Sequence, residues 1–241
     1  MLYVRRSSNL SRLYGVGVGT GNPELITLKA LRILQSVAVV AYPASETGNS
    51  FARSIVAEFL QDNQIEIPIV LPFKLAKSAQ PFYDKASEQL AEHLNDGRDV
   101  AVLCEGDPFF YGSFMYIYDR LSPKFDTEII PGISSVMASA AMIGIPLTYR
   151  NDVFMVVSGI LSREVLKEKL KVADAAVIIK LGKNFNKVKQ VLEELGLVER
   201  AKYIENATRE NQKILSINEV EAETVPYFSL IVIPSKLNFG F

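Results

Sequence analysis

The chain has 241 residues, of which 49% are hydrophobic and 22% charged, with a formal net charge of −1 and an isoelectric point near 6.0. No apolar run approaches the roughly 20 residues of a membrane span, the charge balance gives no global reason to expect a nucleic-acid partner, and the length suits two modest α/β domains or one large one. A lone Cys104 and a lone His93 exclude an internal disulfide and supply no cluster for a structural zinc, so no metal is expected.

The opening MLYVRRSSNLSR is basic without the apolar centre of a secretory signal, and reads as a short flexible leader on a cytoplasmic protein. Short Val- and Ile-rich runs then alternate with amphipathic stretches, the pattern of βα units around a mostly parallel sheet. Strands are predicted at 13–17, 37–42, 65–71, 100–104 and 128–130. Pro23-Glu24 opens a helix whose Leu28, Leu31 and Leu34 repeat along one face, and Ser50 caps the next, with Ile55, Val56, Phe59 and Leu60 as its stripe. Pro81 opens a third that runs to about Asn95 and is stopped by Asp96-Gly97; His93, near its exposed end, is given no role. After Pro131-Gly132 the pattern restarts with an Ala- and Ser-rich helix over 133–143, ended by Gly144. Strands follow at 153–157, 175–181, 201–204 and 228–233. The boundary near Gly132 gives domains 1–132 and 133–241.

YGVGVGTGNPEL places Gly15, Gly17, Gly19 and Gly21 on alternate positions between the first strand and the first helix. A dinucleotide fold needs G-x-G-x-x-G, yet counting from Gly15 or Gly17 puts Thr20 or Asn22 at the third glycine. The acidic residue that would hold a ribose about 20 positions later is missing, because the second strand ends in Ala41-Tyr42-Pro43. No Walker loop exists in the chain either. The bland reading is a tight strand-to-helix turn. The functional one is that alternating glycines strip the strand of side chains and let a flat, bulky ligand such as a planar macrocycle approach the backbone.

Three ordered segments then carry a resemblance. GVGVGTGNPELITLKALRILQSVAVVAYP is similar to the opening of the tetrapyrrole methyltransferase superfamily, LCEGDPFFYGSFMYIYDRL to its G-D-P-x-x-Y motif, and IIPGISSVMASAAMIGIPLTYR to its P-G-[IV]-[ST]-[SA] turn and helix. AAVIIKLGKN, YIENATRENQ and PYFSLIV continue the match, so it covers the chain from about Tyr14 onward, in the form of the branch that methylates carbon 20 of precorrin-2. The resemblance implies a two-domain α/β fold, each domain a mixed or mostly parallel sheet flanked by helices, with S-adenosylmethionine in the interdomain cleft. It further implies a homodimer that acts on precorrin-2 to give precorrin-3A in cobalamin biosynthesis, with a cobalt-loaded substrate of the anaerobic pathway as the alternative. By motif position the cofactor is expected at Thr20, Glu105, Gly106, Asp107, Phe110, Ser134, Ser135, Leu181, Ala207 and Thr208. Thr20 stands where many relatives have proline, and Glu105 where many have glycine.

Residue by residue, Asp107 sits in a Gly-Asp-Pro turn, where a short carboxylate either holds loop shape through backbone N–H bonds or shapes the cofactor site. Lys180 lies within the apolar run AAVIIKL, where a cation is costly to bury without a partner. It is expected to face the cleft and meet a substrate carboxylate or assist proton movement; the alternative is a solvent-facing Lys guarding an edge strand. Lys180, Asp107 and Tyr116 form the expected catalytic set. Gly19, Gly21, Tyr42, Arg53, Tyr111 and Arg150 are the expected substrate contacts, the arginines as bidentate anchors for peripheral carboxylates. Much of the aromatic run around Phe109 and Phe114 is helix core, and Cys104, ending a buried strand, is expected to pack rather than attack. The sulfonium already activates the methyl group, so catalysis is expected from in-line positioning of carbon, methyl and sulfur rather than from a strong general base.

Overall fold

The computed structural model describes residues 11–70 and 79–236. Of the predicted leader only Ser11 and Arg12 fall within that range, as does all but Leu71 of the third predicted strand. The chain divides into two compact units, residues 1–134 and 135–241.

The first unit is built on a parallel sheet. Strands β1 (Arg12–Gly17), β2 (Val39–Ala44), β3 (Ile65–Val70), β4 (Val100–Cys104) and β5 (Asp126–Ile130) lie in the order β3-β2-β4-β1-β5, with every neighbouring pair parallel. Alternate residues serve opposite faces, as the two-residue period of a strand requires. Leu13, Val100 and Val102 pack with α3 (Gln80–Asn95) and α4 (Phe114–Leu121) on one side. Val16, Val40 and Ala101 pack with α1 (Leu28–Leu34) and α2 (Phe51–Ile55) on the other.

The helix ends follow local chemistry, with two departures from the predicted pattern. Pro23 opens only a 3-10 turn over Pro23–Leu25, and α1 begins after Thr27, whose side chain accepts the Ala30 N–H at 3.2 Å. Its buried face is therefore Ala30, Ile33 and Leu34, while Leu28 is 77% exposed. The helix capped by Ser50 stops at Ile55, and Phe59 reaches the core from a second short 3-10 turn, Ala57–Phe59. The third helix ends as expected. Asp96 caps it and Gly97, at φ 79°, takes the left-handed position that glycine adopts at least cost.

The second unit holds a mixed sheet. Strands β6 (Phe154–Ser158), β7 (Ala175–Ile179), β8 (Lys202–Glu205), β9 (Lys213–Ser216) and β10 (Ser229–Ile233) lie in the order β6-β7-β10-β8-β9. β6 and β7 are parallel, and β10 runs against both β7 and β8, so β6, β7 and β8 end on the same edge. Helices α6 (Arg163–Val172) and α7 (Phe185–Glu194) cover one face over Ile178, Tyr203 and Ile231. Helix α5 (Ser135–Ile143) supplies Val136 to the other face, over Val177, Ile204 and Val232. β9 has no counterpart in the sequence prediction, since KILS is short and leaves Ile214 41% exposed.

Candidate active site

In the first unit, the loops that follow β1, β4 and β5 leave the carboxyl edge of adjacent parallel strands, the edge where open α/β sheets take their ligands. They are pinned together by backbone. Gly19 donates its N–H to Gly106 O at 3.3 Å and Gly106 returns the bond to Gly19 O at 2.7 Å, while Val18 N–H reaches Cys104 O at 3.0 Å. Asp107 joins the third loop. Its Oδ1 accepts the Phe109 N–H at 2.9 Å and its Oδ2 accepts the Gly132 N–H at 3.1 Å. The turn-shaping role predicted for this carboxylate is thus what its bonds perform, and they place Gly106, Asp107, Gly132 and the Gly19–Gly21 bend side by side.

The glycines divide by purpose, which corrects the reading of all four as an approach path for a ligand. A side-chain carbon on Gly17 would lie 2.6 Å from both Gly106 O and Gly132 N, and one on Gly15 would lie 2.6 Å from Phe114 Cδ1. Those two positions are filled by protein. Gly19 differs: it has φ 78°, and a side-chain carbon there would meet only Leu25, at 3.8 Å or more. Gly21 shares the positive φ, at 150°.

Beyond Asp107 the aromatic segment turns outward. Phe110 and Tyr111 are exposed and meet edge to face at 5.2 Å, with Tyr111 held at φ 56°. Cys104, at the end of β4, is buried, and desolvation followed by the nearby Glu105 charge pushes its thiol up to about 11, so it packs as predicted. Tyr116 goes elsewhere. Its ring stacks on Tyr83 of α3 at 4.7 Å, beside Arg120, which is tied to Asp84 at 2.7 Å.

Two expected substrate contacts find other partners. Arg53 grips Glu66 of β3 through Nε at 2.7 Å and Nη2 at 2.9 Å, and that hydrogen bonding raises the guanidinium and lowers the carboxyl. Tyr42 is only 8% exposed, and its hydroxyl, pushed up by burial and then by Glu66, belongs to the same cluster. The Arg53 guanidinium thus has a bidentate carboxylate partner within the sheet.

In the second unit, β6, β7 and β8 present their carboxyl ends together. β7 stops at Ile179, so Lys180 is not the strand residue predicted; it lies one position beyond, exposed, at φ 57°. The edge-guard alternative fails too, because β7 lies between β6 and β10. Leu181 is fully buried among α7 residues, which leaves its backbone rather than its side chain for a ligand. Gly159 after β6 donates to Ile179 O at 2.7 Å, and a side-chain carbon there would come within 3.1 Å of Lys180 O. After β8 the chain bends through Asn206 (φ 51°), Ala207 and Thr208 (φ 70°), where the Thr208 N–H meets Gln212 Oε1 at 2.8 Å. Arg209 lies 4.4 Å over the Phe228 ring.

Left-handed backbone on a residue with a side chain costs about 1–3 kcal/mol and gathers at functional sites. Among the described residues it occurs at Tyr111, Arg150, Lys180, Asn206 and Thr208. Four of these are predicted site residues. Arg150 has a local cause, a turn in which Asp152 accepts the Tyr149 N–H at 2.6 Å and returns its own N–H to Tyr149 O at 2.9 Å. Tyr111, Lys180 and Thr208 all follow strands at the carboxyl edges. Sequence reasoning missed Gly132, Gly159 and Asn206; only the Pro131-Gly132 turn carried a signal for one of them. Among the described residues, no group of three acidic, His or Cys side chains is arranged to hold a metal ion, and no helix is long and apolar enough to cross a membrane.

In the first unit the loops after β1, β4 and β5 carry the hydroxyls of Thr20 and Ser134, the Glu105 carboxylate, the exposed Phe110 ring and the left-handed backbone of Gly106. Residues 12–222 match the family model of Tetrapyrrole (Corrin/Porphyrin) Methylases. Cobalamin biosynthesis protein CobIJ of Mycobacterium tuberculosis is 40% identical over 231 residues, which are 92% of this chain and 46% of that protein, so the chain spans about half the length of this relative. Precorrin-2 C(20)-methyltransferase of a Sinorhizobium species is 37% identical over 234 residues, covering 93% of this chain and 96% of that one. The solved uroporphyrin-III C-methyl transferase of Thermus thermophilus, complexed with S-adenyl homocysteine, superimposes with a TM-score of 0.66 at 25% identity over 93% of this chain and 92% of that one.

Proposed function

The chain belongs to the tetrapyrrole (corrin/porphyrin) methylases, and from that premise we propose that it transfers the methyl group of S-adenosylmethionine to carbon 20 of precorrin-2, giving precorrin-3A in cobalamin biosynthesis. The observation that carries the proposal is the near end-to-end similarity to the Sinorhizobium enzyme, which leaves little of either chain unmatched. S-adenosylmethionine, when bound, supplies an already activated methyl group on a sulfonium. Glu105, Gly106, Asp107, Phe110 and Ser134 are assigned to it from the first unit, and Ser135, Leu181, Ala207 and Thr208 from the second. Asp107 acts by holding Gly106 and Gly132 in register, a role that needs no change of protonation. The Gly19–Gly21 bend, Tyr111 and Lys180 are assigned to the tetrapyrrole, Lys180 as an exposed ammonium for a peripheral carboxylate.

On this reading the protein accelerates transfer by orientation and by excluding water, an effect worth several kcal/mol in favourable systems. Incubation with precorrin-2 and S-adenosylmethionine should yield a product heavier by one methyl by mass spectrometry, with carbon 20 located by NMR. Turnover of cobalt-precorrin-2 alone would move the assignment to the anaerobic pathway. No methyl transfer to either substrate would remove the proposal.

A further inference from the structure

Glu205 is a carboxylate with little exposure at the last position of β8, immediately before the bend at Asn206, Ala207 and Thr208. Both of its oxygens are engaged. Oε2 accepts the hydroxyl proton of the fully buried Tyr203 at 2.6 Å, and Oε1 pairs with Lys213 Nζ at 3.1 Å. Lys213 opens β9 and stands opposite Glu205 in the antiparallel register. The pair therefore closes the neck of the loop 206–212, joining the point where the chain leaves the sheet to the point where it returns.

Above that neck the loop is bonded to itself and to the residue just before β10. Asn206 N–H meets Phe228 O at 2.9 Å, Arg209 N–H meets Asn206 O at 3.0 Å, and Arg209 Nη1 meets Asn206 Oδ1 at 3.2 Å. These bonds keep two side-chain-bearing residues in the left-handed region, a conformation that persists only where its surroundings over-determine it. A buried carboxylate is a poor source of stability compared with a well-packed apolar residue, and its best-attested use is to fix one arrangement among several. Burial and the Glu205 hydrogen bond both raise the Tyr203 hydroxyl, which keeps it a proton donor to that carboxylate.

We propose that Glu205, gripped by Tyr203 and Lys213, is a positioning residue that holds the Asn206–Thr208 bend in its ligand-ready shape and thereby sets affinity for S-adenosylmethionine. The inference rests on the cofactor reading above. Its test compares the wild-type protein with Glu205→Gln, Tyr203→Phe and Lys213→Met by calorimetric titration with S-adenosylhomocysteine and by amide hydrogen exchange without ligand.

Glu205→Gln should weaken binding about tenfold, the scale of one lost charge-assisted hydrogen bond, and Lys213→Met should weaken it less because the ammonium is largely exposed. The amides of residues 206–212 should exchange faster in the variants, while turnover at saturating cofactor stays within about twofold and the Michaelis constant for S-adenosylmethionine rises. Unchanged affinity and unchanged exchange in folded Glu205→Gln would overturn the proposal. Should that variant fail to fold, the same null result in Tyr203→Phe and Lys213→Met would overturn it. Absence of binding by the wild type would sink the cofactor reading instead. The exchange comparison would still decide whether Glu205 holds the bend.

Discussion

At the scale of single residues, glycine matters here for two separate physical reasons. At Gly132 any side-chain carbon would be driven into Gly106 O and Gly17, all of it backbone that cannot rotate aside. At Gly144 the same carbon would meet nothing within 4 Å, and only the φ of 73° is unfavourable. Gly132→Ala is therefore expected to cost about 3 kcal/mol or more and Gly144→Ala about 1 kcal/mol, a contrast that urea unfolding would read directly. Equal losses would mean the three-loop contact is loose. Cys104 gives a pH-dependent counterpart. Its folded thiol is raised to about 11, so the folded state holds the proton more tightly than the unfolded chain. This contribution is complete below the ordinary thiol range of about 8.5 and is lost as pH rises from there through 11. Cys104→Ala should flatten that alkaline loss, and in the native wild type the thiol should react with a maleimide at pH 8 far more slowly than in urea.

At the scale of elements, the helix that follows the glycine loop shows how local chemistry and packing divide the work. PEL at 23–25 has a helix-opening proline, yet the chain makes only a 3-10 turn there and leaves the true start to Thr27. Thr27→Ala should cost about 1 kcal/mol by removing the Ala30 N–H acceptor, measured as a lower unfolding midpoint with an unchanged m-value. An equivalent loss on Asn22→Ala would point instead to the preceding turn as the nucleus. The same division explains Lys180. A run of apolar residues reads as strand to its end, but the strand stops where the neighbouring β6 chain, at Gly159, takes the last carbonyl. Periodicity carries no record of where a partner strand turns away.

At the scale of the whole molecule, two sheets of different construction present comparable edges. The first is entirely parallel; in the second, only β6, β7 and β8 run together around an antiparallel β10. If the chain binds S-adenosylmethionine as proposed, ligand binding should couple to the stability of the folded chain by mass action. S-adenosylhomocysteine at about 100 times its dissociation constant should add about 2.7 kcal/mol, a rise of several degrees in the thermal midpoint. No shift at millimolar ligand would contradict the cofactor assignment. The edge strand β5 carries its own protection, an ion-pair network in which Arg12 joins Asp126 and Glu128 while Lys29 also meets Glu128. Its Lys29 partner lowers the Glu128 carboxyl, so that contribution to stability is present at neutral pH and fades as acid protonates the folded group.

What the sequence by itself determined is what lives in short-range pattern: the alternation of apolar runs with amphipathic helices, the Gly-Asp-Pro and Pro-Gly turns, and the ordered motifs that carry the family resemblance. Those features act within a few residues, and the third helix, ended at Asp96-Gly97, was legible almost to the residue. Tertiary structure alone decided which groups spend themselves on one another. Arg53 and Glu66 are 13 positions apart, Asp107 and Gly132 are 25 apart, and Gly15 is fitted to the ring of Phe114. Such pairings depend on strand order and register, which place distant segments within hydrogen-bonding reach. One-dimensional patterns of hydrophobicity hold no term for that proximity.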